Sequence, residues 1–241
     1  MITAAPTHSP PFAPDDPAGA VAARLHELSE RQERSISFRW FAARRWLRSR
    51  LGSGSLDWNA PALRSFLRDK LVALDRDKCR LCHLLCRSGQ ARRIVEIGTS
   101  FGVSTIYLAA AARENAEGGT RKALVIATEI DPAKAAAARA NLKQAGLERY
   151  AEVREGDFRQ TLRELTGPID FVLLDIWAPL AAPAIELLAP RLRSGAIVAC
   201  DNIERLKREY RDYLAYIEDP ANRFDSLTLP MPGGLGLAVR R

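Results

Sequence analysis

The chain has 241 residues, 47% of them hydrophobic and 27% charged, enough for one domain and an appendage with a buried core that needs no disulfides. No apolar run approaches the ~20 residues that span a bilayer, and the opening MITAAPTHSPPFAPDDPAG lacks the basic-then-apolar order of a secretory signal, so a cytoplasmic protein without membrane contact is expected. A net charge of +7 favours anionic contacts in general and does not choose among them.

Residues 1–20 are rich in proline and alanine and read as a disordered tail closed by Asp15-Asp16-Pro17. From 21 to 90 the pattern is helical, broken by GSGS at 52–55 and by Asn59-Ala-Pro61, and is expected to form a helical cap or arm. Within it, FRWFAARRWLRSR (38–50) carries five arginines, four aromatics and no acid. Two readings stay open: a basic, stacking surface for nucleic acid or an anionic substrate, or an amphipathic helix that packs Trp40, Ala43, Leu47 and Leu51 and leaves its arginines in water. Cys79, Cys82, His83 and Cys86 match a CxxCH haem-attachment pattern and offer four zinc donors. Consecutive ligands on one regular helix surround a metal poorly, so the expectation is a structural helix from Leu71 to Gly89, with Leu74, Leu81 and Leu85 as its buried stripe.

After residue 91 the texture changes. RRIVEIG, ALVIATEI, AEVREG, IDFVLLDI and GAIVACD are short apolar runs of strand length. Alanine- and leucine-rich helical segments alternate with them: VSTIYLAAAAR, PAKAAAARANLKQAG, FRQTLREL and PAIELLAPRLR. This alternation predicts an α/β fold, a Rossmann-like, doubly wound and mostly parallel sheet over 91–241. SLTLPMPGGLGLAVR closes it with a Pro-Gly-Gly turn, predicting a C-terminal antiparallel hairpin.

The polar residues collect where the predicted strands end. Glu96-Ile-Gly98-Thr-Ser100-Phe-Gly102-Val-Ser104 follows the first strand, and its two glycines allow a tight turn that approaches a ligand closely. The turn is not GxGxxG, so it suits a cofactor without a pyrophosphate better than a dinucleotide. Glu129 ends the second strand, where a carboxylate can accept from two vicinal ribose hydroxyls, and Asp131-Pro132 reads as the cap of the next helix. Gly156-Asp157 ends the third strand, where a carboxylate can meet an adenine amino group. Asp175 ends the fourth strand, and Asp201-Asn202 the fifth. These are hard oxygen ligands suited to Mg²⁺, although Asp201 and Asn202 could equally cap a helix or form a turn.

In motif order and spacing, residues 91–241 resemble the cation-dependent, catechol-type O-methyltransferases of the class I S-adenosylmethionine (SAM)-dependent fold. VEIGTSFGVST, ATEIDP, REGD, IDFVLLDIWAP, LRSGAIVACDN and SLTLPMPGGLGLAVR carry the resemblance. It implies SAM contacts from Glu96, Gly98, Ser100, Gly102, Ser104, Glu129, Ile130, Gly156, Asp157, Asp175 and Trp177. It also implies a divalent ion, Mg²⁺ or another, on Asp175, Asp201 and Asn202. By the same analogy the N-terminal helices would cover a small-molecule acceptor or form a homodimer contact. One departure stands out: the family's usual Asp-x-Trp-Lys reads Asp175-Ile176-Trp177-Ala178 here. With that lysine, the usual general base, gone, a divalent ion could partly replace it by lowering the acceptor hydroxyl's pKa, and the proton would leave to a water or to Asp175. Nucleic-acid methylation is disfavoured, because no Asn/Asp-Pro-Pro-aromatic motif follows the fourth strand. Metal-independent N- or carboxyl-methylation and a non-catalytic SAM-binding module are the alternatives.

Overall fold

The computed structural model describes residues 11–34, 70–117 and 122–241. The arginine- and aromatic-rich stretch 38–50, the GSGS at 52–55 and Asn59-Ala-Pro61 lie outside the described residues, as does most of the expected tail. The remainder of that tail is structured. Phe12 is buried, and helix α1 runs Pro17–Glu33. The Asp16 carboxylate accepts from Ala18 N at 2.9 Å, and Pro17 sits in the first turn where its missing N–H costs nothing. Asp-Asp-Pro therefore starts a helix, and the boundary expected at residue 20 falls inside α1.

Helix α2 spans Arg76–Ser88, capped by Asp75, and begins five residues later than expected. Its buried face is Lys78, Cys79, Cys82, His83 and Cys86, whereas Leu81 and Leu85 are only partly covered and Leu74 precedes the helix. The expected leucine stripe is thus one position out of phase with the observed one. The cysteines are free and buried, burial pushes their thiols up, and His83 Nδ1 meets the Tyr107 carbonyl at 3.0 Å. This is a packing face, in line with the structural reading of CRLCHLLC.

The remaining elements are β1 (Arg93–Ile97), α3 (Val103–Glu117), β2 (Leu124–Glu129), α4 (Pro132–Gln144), β3 (Ala151–Glu155), α5 (Phe158–Thr161), β4 (Ile169–Leu174), α6 (Ala181–Leu188), β5 (Leu192–Asp201), α7 (Arg211–Glu218), β6 (Phe224–Leu229) and β7 (Leu235–Arg240). They build one sheet of order β3-β2-β1-β4-β5-β7-β6. Pairing is parallel through β5 and antiparallel for β7 and β6. This is the predicted doubly wound sheet with its closing hairpin.

Strand side chains alternate between two cores, as a pleated backbone requires. Ile94, Val125, Phe171 and Leu173 face α1–α4, while Val95, Ile97, Ile126, Val172 and Leu174 face α5–α7. Helix α3 lies between the sheet and the outer helices α1 and α2, so it is buried nearly all round. Its run of alanines permits that close double packing. Asp131 caps α4 as expected, accepting from Ala133 N and Lys134 N.

Candidate active site

The crevice lies at the carboxyl ends of the adjacent parallel strands β1 and β4, the position at which doubly wound sheets bind ligands. Gly98 has φ +98°, and a Cβ there would lie 1.9 Å from the Asp175 carbonyl oxygen, so no other residue fits between the β1 and β4 tips. Gly98 N and Thr99 N both donate to the Thr128 carbonyl at 3.1 Å, which ties the turn to β2. Ser100 takes φ +50°, and Gly102 at φ +84° packs against Ala138 of α4. Ser104 is buried in the first turn of α3.

Glu96 is fully buried below this turn. The hydroxyls of Thr99 (3.3 Å) and Thr105 donate to its Oε2. Oε1 has no hydrogen-bond partner among the described residues. Burial raises the Glu96 pKa, and the Ser104, Thr105 and Thr99 hydroxyls oppose the rise.

Glu129 is 9% exposed, with both carboxylate oxygens held by backbone: Ser100 N donates to Oε2 at 2.7 Å and Asp131 N to Oε1 at 2.8 Å. Each oxygen keeps a lone pair for an outside donor, so the carboxylate is fixed in place and still able to accept two hydroxyls. The neighbouring Ile130 is 67% exposed at the rim, an apolar surface open to a flat ring. Gly156 (φ +127°) donates to the Glu129 carbonyl at 2.8 Å, bringing the β3 tip alongside. Asp157 departs from expectation in its partners: it caps α5 through Arg159 N (2.8 Å) and pairs with the Arg159 guanidinium, which holds its carboxyl below the usual range.

Leu71–Leu74 lie over a narrow cleft completed by Gly98–Phe101, Val103, Ser104 and Asp175, with a cavity volume of about 10 Å³, room for roughly one water. That is below the ~300 Å³ at which ligand pockets begin. The roof is strapped to α1, Gln32 Oε1 accepting from Leu71 N (2.8 Å) and Ser29 Oγ from Ala73 N (3.0 Å).

The tips of β4 and β5 form a second acidic pole. Asp175 lines the cavity, and its pKa is raised well above the ordinary value by burial first and then by the Asp201 and Glu96 carboxylates. Half-buried Trp177 follows it and precedes a single 3-10 turn. Asp201 is 6% exposed. Burial raises its pKa too, against the pull of Lys78. The Lys78 ammonium of α2 bonds Asp201 Oδ1, and it also donates to the carbonyls of Pro232 (2.6 Å) and Gly234 (3.3 Å). The Asn202 amide nitrogen donates to Asp201 Oδ2 at 2.6 Å. A Cβ on Gly233 would meet Asn202 Oδ1 at 2.5 Å, which places that oxygen against the glycine and away from Asp201.

This arrangement does not fit the expected divalent ion. Both Asp201 oxygens are engaged, the Asn202 oxygen is turned aside, and a lysine cation holds the pole. Among the described residues no cluster of three His, Cys, Asp or Glu side chains is placed to hold a metal. Lys78 was missed in the sequence, although a signal existed: it falls in phase with Cys79, Cys82, His83 and Cys86, a lone charge on a buried stripe.

Residues 95–203 match the family model of a methyltransferase domain. A catechol O-methyltransferase of Mycobacterium tuberculosis (strain ATCC 25618 / H37Rv) is 34% identical over 135 residues, 56% of this chain and 58% of that protein. Thus the match spans little more than half of the curated relative's length. Cofactor-bound Rv0187 from MTB superposes with a TM-score of 0.64 at 28% identity, covering 81% of this chain and 94% of that one. An O-methyltransferase from Bacillus cereus in complex with SAH gives 0.62 at 23% identity, over 83% and 97%. Residues 95–203 thus carry a methyltransferase domain, in a fold shared with an O-methyltransferase solved in complex with SAH. The chain's relatives in sequence and structure include O-methyltransferases.

Proposed function

We propose that the protein transfers a methyl group from SAM to an oxygen of a small-molecule acceptor. The observation that carries the reading is Glu129, pinned through both oxygens by the backbone of Ser100 and Asp131 beside the Gly98–Gly102 turn. The unpartnered Glu96 Oε1 adds to it, as a buried acceptor for the cofactor's ammonium group, directly or through a water. When bound, SAM supplies an electrophilic methyl on a sulfonium. In this reading Glu129 holds the ribose, Ile130 covers one face of the adenine, and Gly98 lets the chain approach without a side chain between.

The protein's part in the reaction is orientation, which can contribute several kcal/mol when the reacting atoms are held near attack distance. The acceptor's oxygen–carbon bond forms as the carbon–sulfur bond breaks, and the acceptor's hydroxyl proton must leave. Asp175 is the group on the cavity wall placed to receive it. Its raised pKa favours proton capture over that of an ordinary carboxylate. In this reading the acceptor is recognised at the pole around Asp175 and Trp177. The catechol O-methyltransferase relative suggests a hydroxylated aromatic.

Calorimetric titration of S-adenosylhomocysteine (SAH) tests the reading. Micromolar binding that is lost in Glu129→Ala is expected, and absence of binding to the folded wild type would overturn it.

A further inference from the structure

We propose that the Lys78 ammonium stands in for the divalent cation at the tips of β4 and β5, so that the protein binds no Mg²⁺ there. The ammonium has three donors, and each meets an oxygen: Asp201 Oδ1, the Pro232 carbonyl and the Gly234 carbonyl. A carboxylate and backbone carbonyls are the hard oxygen donors that Mg²⁺ or Mn²⁺ would select. The lysine thus takes up the same chemistry as an ion, in the same place, with one charge in place of two.

Two further features close the position to a metal. The side chains of Lys78 and Asp201 are 2% and 9% exposed, so the ammonium cannot swing into water to make room. The remaining Asp201 oxygen and the Asn202 amide are already joined. A divalent ion entering beside Lys78 would meet a like charge inside protein, where screening is weak. Ala178 is 2% exposed in its turn, so the lysine absent there has no room to project. The cation of this pole arrives instead from α2, 123 residues away in sequence from Asp201. Lys78 acts as a positioning residue: it holds Asp201, and with it the β5 tip and the 232–234 turn, against the acceptor side of the crevice.

Mn²⁺ provides the test, since its electron paramagnetic resonance signal reports ion uptake directly. Full-length wild type, stripped with EDTA, is expected to leave the free Mn²⁺ signal unchanged up to millimolar ion, and so is Lys78→Arg. Lys78→Ala opens an oxygen-lined cavity around Asp201 and is expected to take up about one Mn²⁺ per chain. Its thermal midpoint should rise on ion addition, and Lys78→Ala/Asp201→Asn should lose both effects. One Mn²⁺ bound per wild-type chain and lost in Asp201→Asn would overturn the proposal. So would a folded Lys78→Ala that binds SAH but no Mn²⁺. If Lys78→Ala does not fold, the wild-type and Lys78→Arg titrations decide alone. The consequence that turnover proceeds in EDTA rests on the methyl-transfer reading, whereas ion occupancy does not. SAH binding and Mn²⁺ binding can therefore fail separately.

Discussion

Two acidic groups sit at the carboxyl ends of the same sheet and are stabilised in opposite ways. On the β1–β2–β3 side, Glu129 is held by backbone N–H groups that lie two and twenty-nine residues away in sequence. On the β4–β5 side, Asp201 is held by a lysine side chain 123 residues away. Backbone donors fix a carboxylate without neutralising it and leave it free to accept from a ligand. A buried ammonium neutralises its carboxylate and occupies it. The first group is therefore left able to accept from a ligand and the second is tied into the fold, although both look alike as acids at strand tips.

The sharpest way to break this comparison is Lys78→Ala. Removing one partner of a buried ion pair leaves Asp201 uncompensated, which typically costs about 3–5 kcal/mol. Urea denaturation should show that loss, and recovery of part of it on adding Mn²⁺ would tie it to the missing charge. A loss below about 1 kcal/mol would mean that the pair contributes little and that the two poles differ less than the geometry implies.

The same long-range pattern recurs where α1 meets α3. The Tyr107 hydroxyl meets His26 Nε2 at 3.2 Å, and burial, with help from Arg76, lowers the His26 pKa to about 4. Because the folded value lies below the unfolded value of about 6.5, the unfolded state takes up its proton first. Stability is then lost as pH falls from about 6.5 to about 4 and levels off below, by at most about 3 kcal/mol. Urea midpoints measured across that window check the slope, and His26→Gln should flatten it.

On the cofactor side the expected effect is on binding as well as folding. Glu129→Ala removes two charge-assisted acceptors and should weaken SAH binding about 100-fold, at roughly 1.4 kcal/mol per acceptor, and it also costs about 1–3 kcal/mol of stability because Ser100 N and Asp131 N lose their acceptor. The smallest change is expected from Asp157→Asn. Arg159 and the α5 cap already engage that carboxylate, so its SAH affinity should fall less than about tenfold. A larger fall would show that Asp157 leaves Arg159 to reach the adenine.

Much of this architecture is readable from local pattern. Alternating apolar strands and alanine-rich helices identify the parallel sheet, and the Pro-Gly-Gly turn identifies the hairpin. Asp131-Pro132 identifies a helix cap. Gly98 identifies a close approach, and Glu129 an acid at a strand tip. Each depends on residues within one element or on the regular order of successive elements. The failures share a different cause. Asp16-Pro17 has the same composition whether it ends a tail or caps a helix, and only the packing of Ala18, Val21 and Leu25 on the core decides. The stripe of α2 was misplaced because leucine outranks cysteine and lysine in hydrophobicity, whereas burial here follows the face turned toward α3. Asp175, Asp201 and Asn202 were expected to hold a metal because hard oxygens at strand tips allow it, and nothing in that local pattern announces Lys78 beside Asp201. The sequence by itself thus determined the sheet, the glycine turn and the position of Glu129 at a strand tip, where its partners are backbone groups supplied by the fold's own regular order. Only the tertiary structure decided what neutralises the second pole, because a charge's partner is set by distance in space, and Lys78 reaches Asp201 only once α2 has docked.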